Sequence, residues 1–220
     1  MTCVLVHGFH LGAQNWEQVV WGFAPHRLGR IPKAVLIALQ QNATMLVFGT
    51  GTVGADGVVE ADAMHARFLQ GLSQLHRFEL LQHYTQQQFD ALRPLVYLER
   101  TSLNTLQEVR SVMKHCGECG VRNLFLVSSP THLPRCLRDA AIVIQTHTKE
   151  EGIVNVFATP SDVSYAGCDP TQVVVIEPPH KPGSLAPSIF LLASRMLNVD
   201  RDLLPTFADE LNRLLVKYDC

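Results

Sequence analysis

Nowhere in the 220 residues does an apolar run approach the roughly 20 residues that a membrane-spanning helix needs. A membrane partner is therefore not expected. The first residues, Met1-Thr2-Cys3-Val4-Leu5-Val6-His7-Gly8, lack the basic start and small-residue cleavage site of a secretory leader. They read instead as a strand that begins at once, and the expected location is cytoplasmic. Charge of one sign is also missing. Eighteen Lys and Arg against 20 Asp and Glu leave a net charge of −2, which offers no basic face to nucleic acid or to an anionic membrane. Internal repeats, low-complexity segments and domain linkers are absent too. A single domain over residues 1–220 is expected, large enough for a full core.

The six cysteines, Cys3, Cys116, Cys119, Cys136, Cys168 and Cys220, form no disulfide framework in a chain without a leader. Cys116-Gly117-Glu118-Cys119 matches C-x-x-C. A redox pair needs a helix N-terminus, where the dipole lowers a thiol pKa. This pair falls at a helix C-terminus, just before Gly120. No second pair completes a zinc set, although His115 is adjacent, so no metal site is expected.

What is present is a series of short, β-branched-rich runs that end in small or polar residues. They are Cys3–Val6, Met45–Phe48, Leu95–Leu98, Leu124–Val127, Ile153–Phe157 and Val173–Ile176. Runs without strict alternation suit strands buried on both faces. Helical patterns lie between them. Leu106, Val109, Val112, Met113 and Cys116 make one apolar stripe. Asn104 is a good N-cap for that helix, Gln107 completes a capping box, and Gly120 suits the position after its end. Arg27–Gln40, Glu60–Leu75 and Phe78–Leu92 read as helices, as do Ala186–Leu197 and Arg201–Lys217. Pro178–Pro187 reads as a long loop. The alternation predicts an α/β fold: a three-layer sandwich with a mainly parallel sheet and C-terminal helices.

Such sheets bind ligands beyond the carboxyl ends of their strands. Ser128-Ser129-Pro130-Thr131-His132-Leu133-Pro134-Arg135 stands at one such end. Pro134 is tolerated only in a first turn, so the helix should start near Ser129–Thr131. His132 and Arg135 then share a face. Free backbone N–H groups, hydroxyls, an imidazole and a guanidinium would converge into an anion site. The plainer alternative is a capping serine with Arg135 paired to a structural carboxylate. Glu99, Asn104 and Thr105 follow the preceding strand. Glu99 could orient a ligand or act as a base, or pair with Arg100 or Arg135.

Gly49-Thr50-Gly51-Thr52-Val53-Gly54 has G-x-G-x-x-G spacing, but no helix opens on its third glycine. The helix-dipole half of the nucleotide mechanism is lost, and a small-residue loop near a ligand remains. Glu60, at the next helix start, is either a dipole partner or a site residue. The segment from Val4-Leu5-Val6-His7-Gly8-Phe9 to Gly12-Ala13-Gln14-Asn15-Trp16 looks like the first strand and oxyanion turn of α/β-hydrolases. That reading needs a G-x-S-x-G elbow, and no serine has one. A triad from Ser129, Asp162 or Asp169, and His180 stands as a further alternative.

Gly49-Thr50-Gly51, Glu60-Ala61, the run Ser102-Leu103-Asn104-Thr105-Leu106-Gln107-Glu108 after Glu99, and Val127 through Arg135 occur in the order found in the YdcF-like family, which the chain resembles over roughly residues 1–160. The resemblance implies a Rossmann-like domain with its ligand site at the carboxyl edge. It also brings S-adenosylmethionine as a cofactor candidate. The chain departs from the membrane-anchored types of that family in having no membrane segment, which favours the soluble type. It also has Gly-Thr-Gly where a plain Gly-Gly is commoner.

The expected function is an enzyme for a small anionic or nucleotide-like molecule. His132 and Glu99 are the candidate catalytic residues. His7, Gly8, Gly49, Thr50, Gly51, Glu60, Asn104, Thr105, Ser128, Ser129 and Arg135 are the candidate ligand-binding residues. A non-catalytic ligand-binding or regulatory protein is the alternative.

Overall fold

A computed structural model of the protein describes residues 1–146 and 155–164, with three further helical positions at Thr206, Asp209 and Arg213. The chain divides into two compact units, Met1–Gln172 and Val173–Cys220, and every strand named below belongs to the first.

The strands of the central sheet are β1 (Thr2–Val6), β4 (Met45–Phe48), β5 (Val96–Leu98), β6 (Asn123–Ser128) and β7 (Asn155–Pro160). A small hairpin is formed by β2 (Gly22–Phe23) and β3 (Arg27–Leu28). The helices are α1 (Trp16–Val20), α2 (Arg30–Gln40), α3 (Glu60–Gly71), α4 (Gln86–Asp90), α5 (Thr105–Glu118) and α6 (Leu133–Thr146).

The five-stranded sheet has the order β5-β4-β1-β6-β7, and every pairing is parallel. From β1 the chain builds outward to β4 and β5, then returns to the other side of β1 for β6 and β7. The β1–β6 boundary is therefore a topological switch point, where the loops leaving two adjacent strands diverge and open a crevice.

Why β1 lacks alternation is visible in the packing. Val4 and Val6 enter a core with Ile31 and Val35 of α2 and Met64 and Phe68 of α3. Cys3 and Leu5 point the other way, into a core with Val109 and Val112 of α5 and Cys136, Ala140 and Val143 of α6. Helices cover both faces, so the fold is the expected three-layer α/β sandwich with a parallel sheet, in the Rossmann-like manner. Among the described residues, no helix is long and apolar enough to cross a membrane.

Several boundaries differ from the sequence reading. Arg27–Gln40 is not one helix: Arg27–Leu28 pairs with Gly22–Phe23, and α2 starts only at Arg30. Gly22, at φ 94°, makes that hairpin accessible to the backbone. Phe78–Leu92 is not a helix either. Turns lead to α4 alone, where Thr85 and Gln88 form a reciprocal capping box. The helix from Glu60 ends at Gly71 and continues as a 3-10 segment, Leu72–Arg77. The last described strand, Asn155–Pro160, runs past the expected end at Phe157, and Ile153 and Val154 lie outside the described residues. The capping box expected at α5 is half formed. Asn104 Oδ1 accepts from Gln107 N at 3.0 Å, but Gln107 Oε1 accepts from Leu103 N, one residue before the cap. The strand Val173–Ile176, the loop Pro178–Pro187 and the helix Ala186–Leu197 lie outside the described residues, as does Arg201–Lys217 apart from its three helical positions.

Leu46, at the sheet centre, is fully buried, whereas Leu80 is 52% exposed. Leu46→Ala should lower the unfolding free energy by about 2–5 kcal/mol. Leu80→Ala should stay within about 0.5 kcal/mol of the native protein. Urea denaturation of both variants checks this assignment of the core.

Candidate functional site

A cavity of about 650 Å³ opens at the carboxyl edge of the sheet, over the switch point. Five stretches build it: the loop after β1, the start of α2, the loop after β4 with the start of α3, the start of α5, and the start of α6. Of the residues expected to bind or catalyse, Gly8, Thr50, Glu60, Asn104, Thr105, His132 and Arg135 line this cavity. His7, Ser128 and Ser129 are buried behind it, and Gly49 and Gly51 support its walls from the backbone.

The expectations were silent on Arg30, which is buried at the first turn of α2. Its Nη1 donates to His7 O at 2.9 Å and to Gly8 O, at the end of β1. Its Nε and Nη2 donate to Ser129 Oγ at 3.1 and 3.0 Å, at the end of β6. The last ladder bond between the two strands is His7 N to Val127 O. One guanidinium thus spans the diverging strand ends. A signal existed: a cation in the first turn of an apolar helix opposes the helix dipole and calls for a specific partner.

Glu108, absent from the expected site, lies at the cavity and is only 1% exposed. Its Oε2 sits 2.6 Å from Nδ1 of the fully buried His7. An acidic residue on the buried stripe of α5, one turn before Val112, was the available signal. Two of the expected ligand-binding glycines make room for carboxylates instead. A Cβ at Gly49 would fall on Glu108 Oε1, and one at Gly8 would overlap Glu60 Oε2. Glu60 Oε2 accepts from Thr50 Oγ1 at 3.1 Å.

The two inner histidines have opposite charge states. Burial alone would lower the His7 pKa, but Cys136 and the Glu108 carboxylate outweigh it and raise the pKa to about 10. His132 meets His7 edge to face, with ring centroids 5.8 Å apart. Burial, then the charges of His7, Arg30 and Arg135, push the His132 pKa down to about 2. His132 is therefore a neutral imidazole, placed by Ser128 Oγ at 2.9 Å from Nδ1 and Thr105 Oγ1 at 3.3 Å from Nε2. Glu60 has its pKa raised, chiefly by burial.

The anion end is built differently from the expectation. α6 starts at Leu133, not at Ser129–Thr131. The N–H groups of His132 and Leu133 both donate to Ser129 O at 3.0 Å, so they are not free for a ligand. The polar groups that this end presents to the cavity are side chains, those of Arg135, Thr105 and His132. Asp139 takes Arg138 at 2.7 Å and reaches Arg135 only at 3.9 Å.

Glu99 is not at the cavity. Its carboxylate accepts from the hydroxyls and N–H groups of Thr101 and Ser102, and from Ser111 Oγ at 3.3 Å. Burial opposes its charge, yet those hydrogen bonds win and lower its pKa. It holds the loop that delivers Asn104 and Thr105. Neither Arg100 nor Arg135 is its partner: Arg100 pairs with Asp62 at 2.7 Å. Ser129 is fully buried beneath Arg30, and Asp162 accepts from Leu28 N at 2.9 Å and pairs with Lys33. Asp169 and His180 lie outside the described residues. Cys116 is packed in the core, while Cys119 is exposed at the end of α5.

No protein-family model matches the chain, and no curated protein or solved structure matches it either.

His7 provides a pH test. Its folded pKa of about 10 lies above the ordinary value of 6.5. Its stabilising contribution is therefore complete below pH 6.5 and is lost as pH rises through about 10. The urea midpoint of the native protein should fall between pH 7 and 10. His7→Gln should start lower and fall less steeply, whereas parallel curves would refute the charged assignment.

Proposed function

We propose that the chain is a soluble enzyme that binds a small anionic or nucleotide-like molecule at the carboxyl edge of its sheet. The observation that carries this reading is the switch-point cavity, lined by Arg135, His132 and Thr105 together with Glu60 and Glu108. A cavity of this size suits a nucleotide-scale ligand. Buried titratable groups with displaced pKa values around such a cavity favour chemistry over passive binding.

Within this reading the roles divide by charge. Arg135 attracts the anion. His132 serves as a neutral hydrogen-bond partner, and a bound negative charge beside it raises its pKa. Glu60, a cavity carboxyl whose pKa burial raises, is the best-placed group to move a proton. Glu99 keeps its loop in place and takes no part in the chemistry.

The YdcF-like assignment belongs to the same proposal. Several residues that carry the resemblance, among them Thr50, Glu60, Thr105, Glu108, His132 and Arg135, gather at one cavity. S-adenosylmethionine is the cofactor candidate it contributes. A cytoplasmic location fits the free thiols of Cys3, Cys116, Cys119 and Cys136.

Calorimetric titration with inorganic phosphate and with S-adenosylmethionine, followed by product analysis after long incubation, tests the reading. Arg135→Ala should weaken phosphate binding by about tenfold or more, the scale of a lost charge-assisted hydrogen bond. His132→Ala should lower turnover of any ligand found while keeping the melting temperature. Phosphate affinity that is indifferent to Arg135 would sink the reading.

A further inference from the structure

Two carboxylates in the cavity wall carry information about the rest of the ligand. Glu60 and Glu108 both line it, each packed directly on a strand-end glycine, Gly8 and Gly49 respectively. Neither carboxylate could hold its place if that glycine bore a side chain. Glu108 Oε1 is moreover a buried acceptor without a hydrogen-bond donor, in a side chain only 1% exposed. Buried acceptors are ordinarily paired, and an unpaired one at a cavity points to a donor that arrives with the ligand.

The charges around this wall indicate which kind of donor fits. His7 lies against Glu108 at 2.6 Å, so that carboxylate already has a partner fixed in the protein. Burial raises the Glu60 pKa, and Arg30 nearby offsets only part of that. Hydroxyls suit such a pair, because they donate to a carboxylate and accept from a protonated carboxyl. The protein itself shows the contact: the Thr50 hydroxyl lies 3.1 Å from Glu60 Oε2 and 2.9 Å from Thr52 Oγ1. Elsewhere in the same cavity stand the Arg135 guanidinium of α6, the Thr105 hydroxyl of α5 and the His132 imidazole just before α6, which suit a group with several outward oxygens.

We propose that the cavity takes a phosphate ester of a polyhydroxy compound, its phosphate at Arg135, His132 and Thr105 and its hydroxyls donating to the carboxylates of Glu60 and Glu108. This rests on the anion site proposed above and names the class of molecule that fills it. A free sugar phosphate and a nucleoside monophosphate share this chemistry.

The test uses the full chain and calorimetry with four probes: inorganic phosphate, ribose 5-phosphate, 2-deoxyribose 5-phosphate and adenosine 5′-monophosphate. Ribose 5-phosphate should bind about tenfold or more tightly than phosphate, the scale of hydrogen bonds to a charged acceptor. The deoxy sugar should lose part of that advantage. Glu60→Gln should reduce the advantage to about threefold or less while phosphate affinity stays within about twofold. Should Glu60→Gln fail to fold, Glu60→Asp withdraws the carboxylate by one methylene, keeps its charge and must reduce the same ratio. Tighter binding of adenosine 5′-monophosphate than of ribose 5-phosphate would identify a nucleotide source, and the reverse a free sugar phosphate; both support the proposal. Equal affinity for phosphate and ribose 5-phosphate overturns it and leaves the anion site standing. Binding of none of the four overturns both.

Discussion

The Arg30 guanidinium is the interaction on which the site depends. Parallel strands β1 and β6 share a ladder as far as His7 N and Val127 O, and beyond that point their loops part. Arg30 fills the fork: it donates to the His7 and Gly8 carbonyls on one side and to Ser129 Oγ on the other. Burying a cation this completely is costly unless its donors are satisfied, and here the strand ends satisfy them. The planar fork matters as much as the charge, because a lysine has one nitrogen and could not span both strands in the same way. Phe9 packs over the guanidinium at 5.1 Å from its ring centroid, and Arg30 forms the floor of the cavity.

Around that floor the protein arranges charge in pairs. His7 is held protonated beside the Glu108 carboxylate, and His132, an edge-to-face neighbour, is held neutral by burial and by the charge of His7. The same residue type takes opposite states within 5.8 Å because one meets a carboxylate and the other is buried beside cations. The result is a polar but internally balanced interior, with Arg135 contributing positive charge at the rim. The proposed function follows from that asymmetry: an anion gains at the α6 end, and hydrogen-bond donors gain at the carboxylate wall.

Much of the fold was legible because it rests on patterns that local sequence carries. The continuous apolar runs of β1, β4 and β6 reflect burial on two faces, and the α5 stripe with its Asn104 cap marks a helix whose start is locally determined. That Thr105, His132 and Arg135 meet at one cavity was legible because strand ends in such a fold converge. Arg30 and Glu108 were not read as site residues. Both sit on helices whose charged residues are normally assigned to solvent, and their partners lie 22 to 101 residues away in the chain. Glu99 was read as either a ligand contact or an ion-pair partner. Its actual partners are the next few residues of its own loop, a geometry set by the turn rather than by residue type. The hairpin at Gly22–Leu28 escaped for a similar reason: its two-residue strands are too short to produce a periodic signal.

The central claim is that the switch-point cavity is an anion site held by side chains of α5 and α6. Amide chemical-shift mapping of the full chain during titration with inorganic phosphate tests it most directly. The largest shifts should cluster at Thr105, His132 and Arg135 and saturate together with a single affinity. Shifts that are absent, or that centre on a surface remote from those three residues, would contradict it.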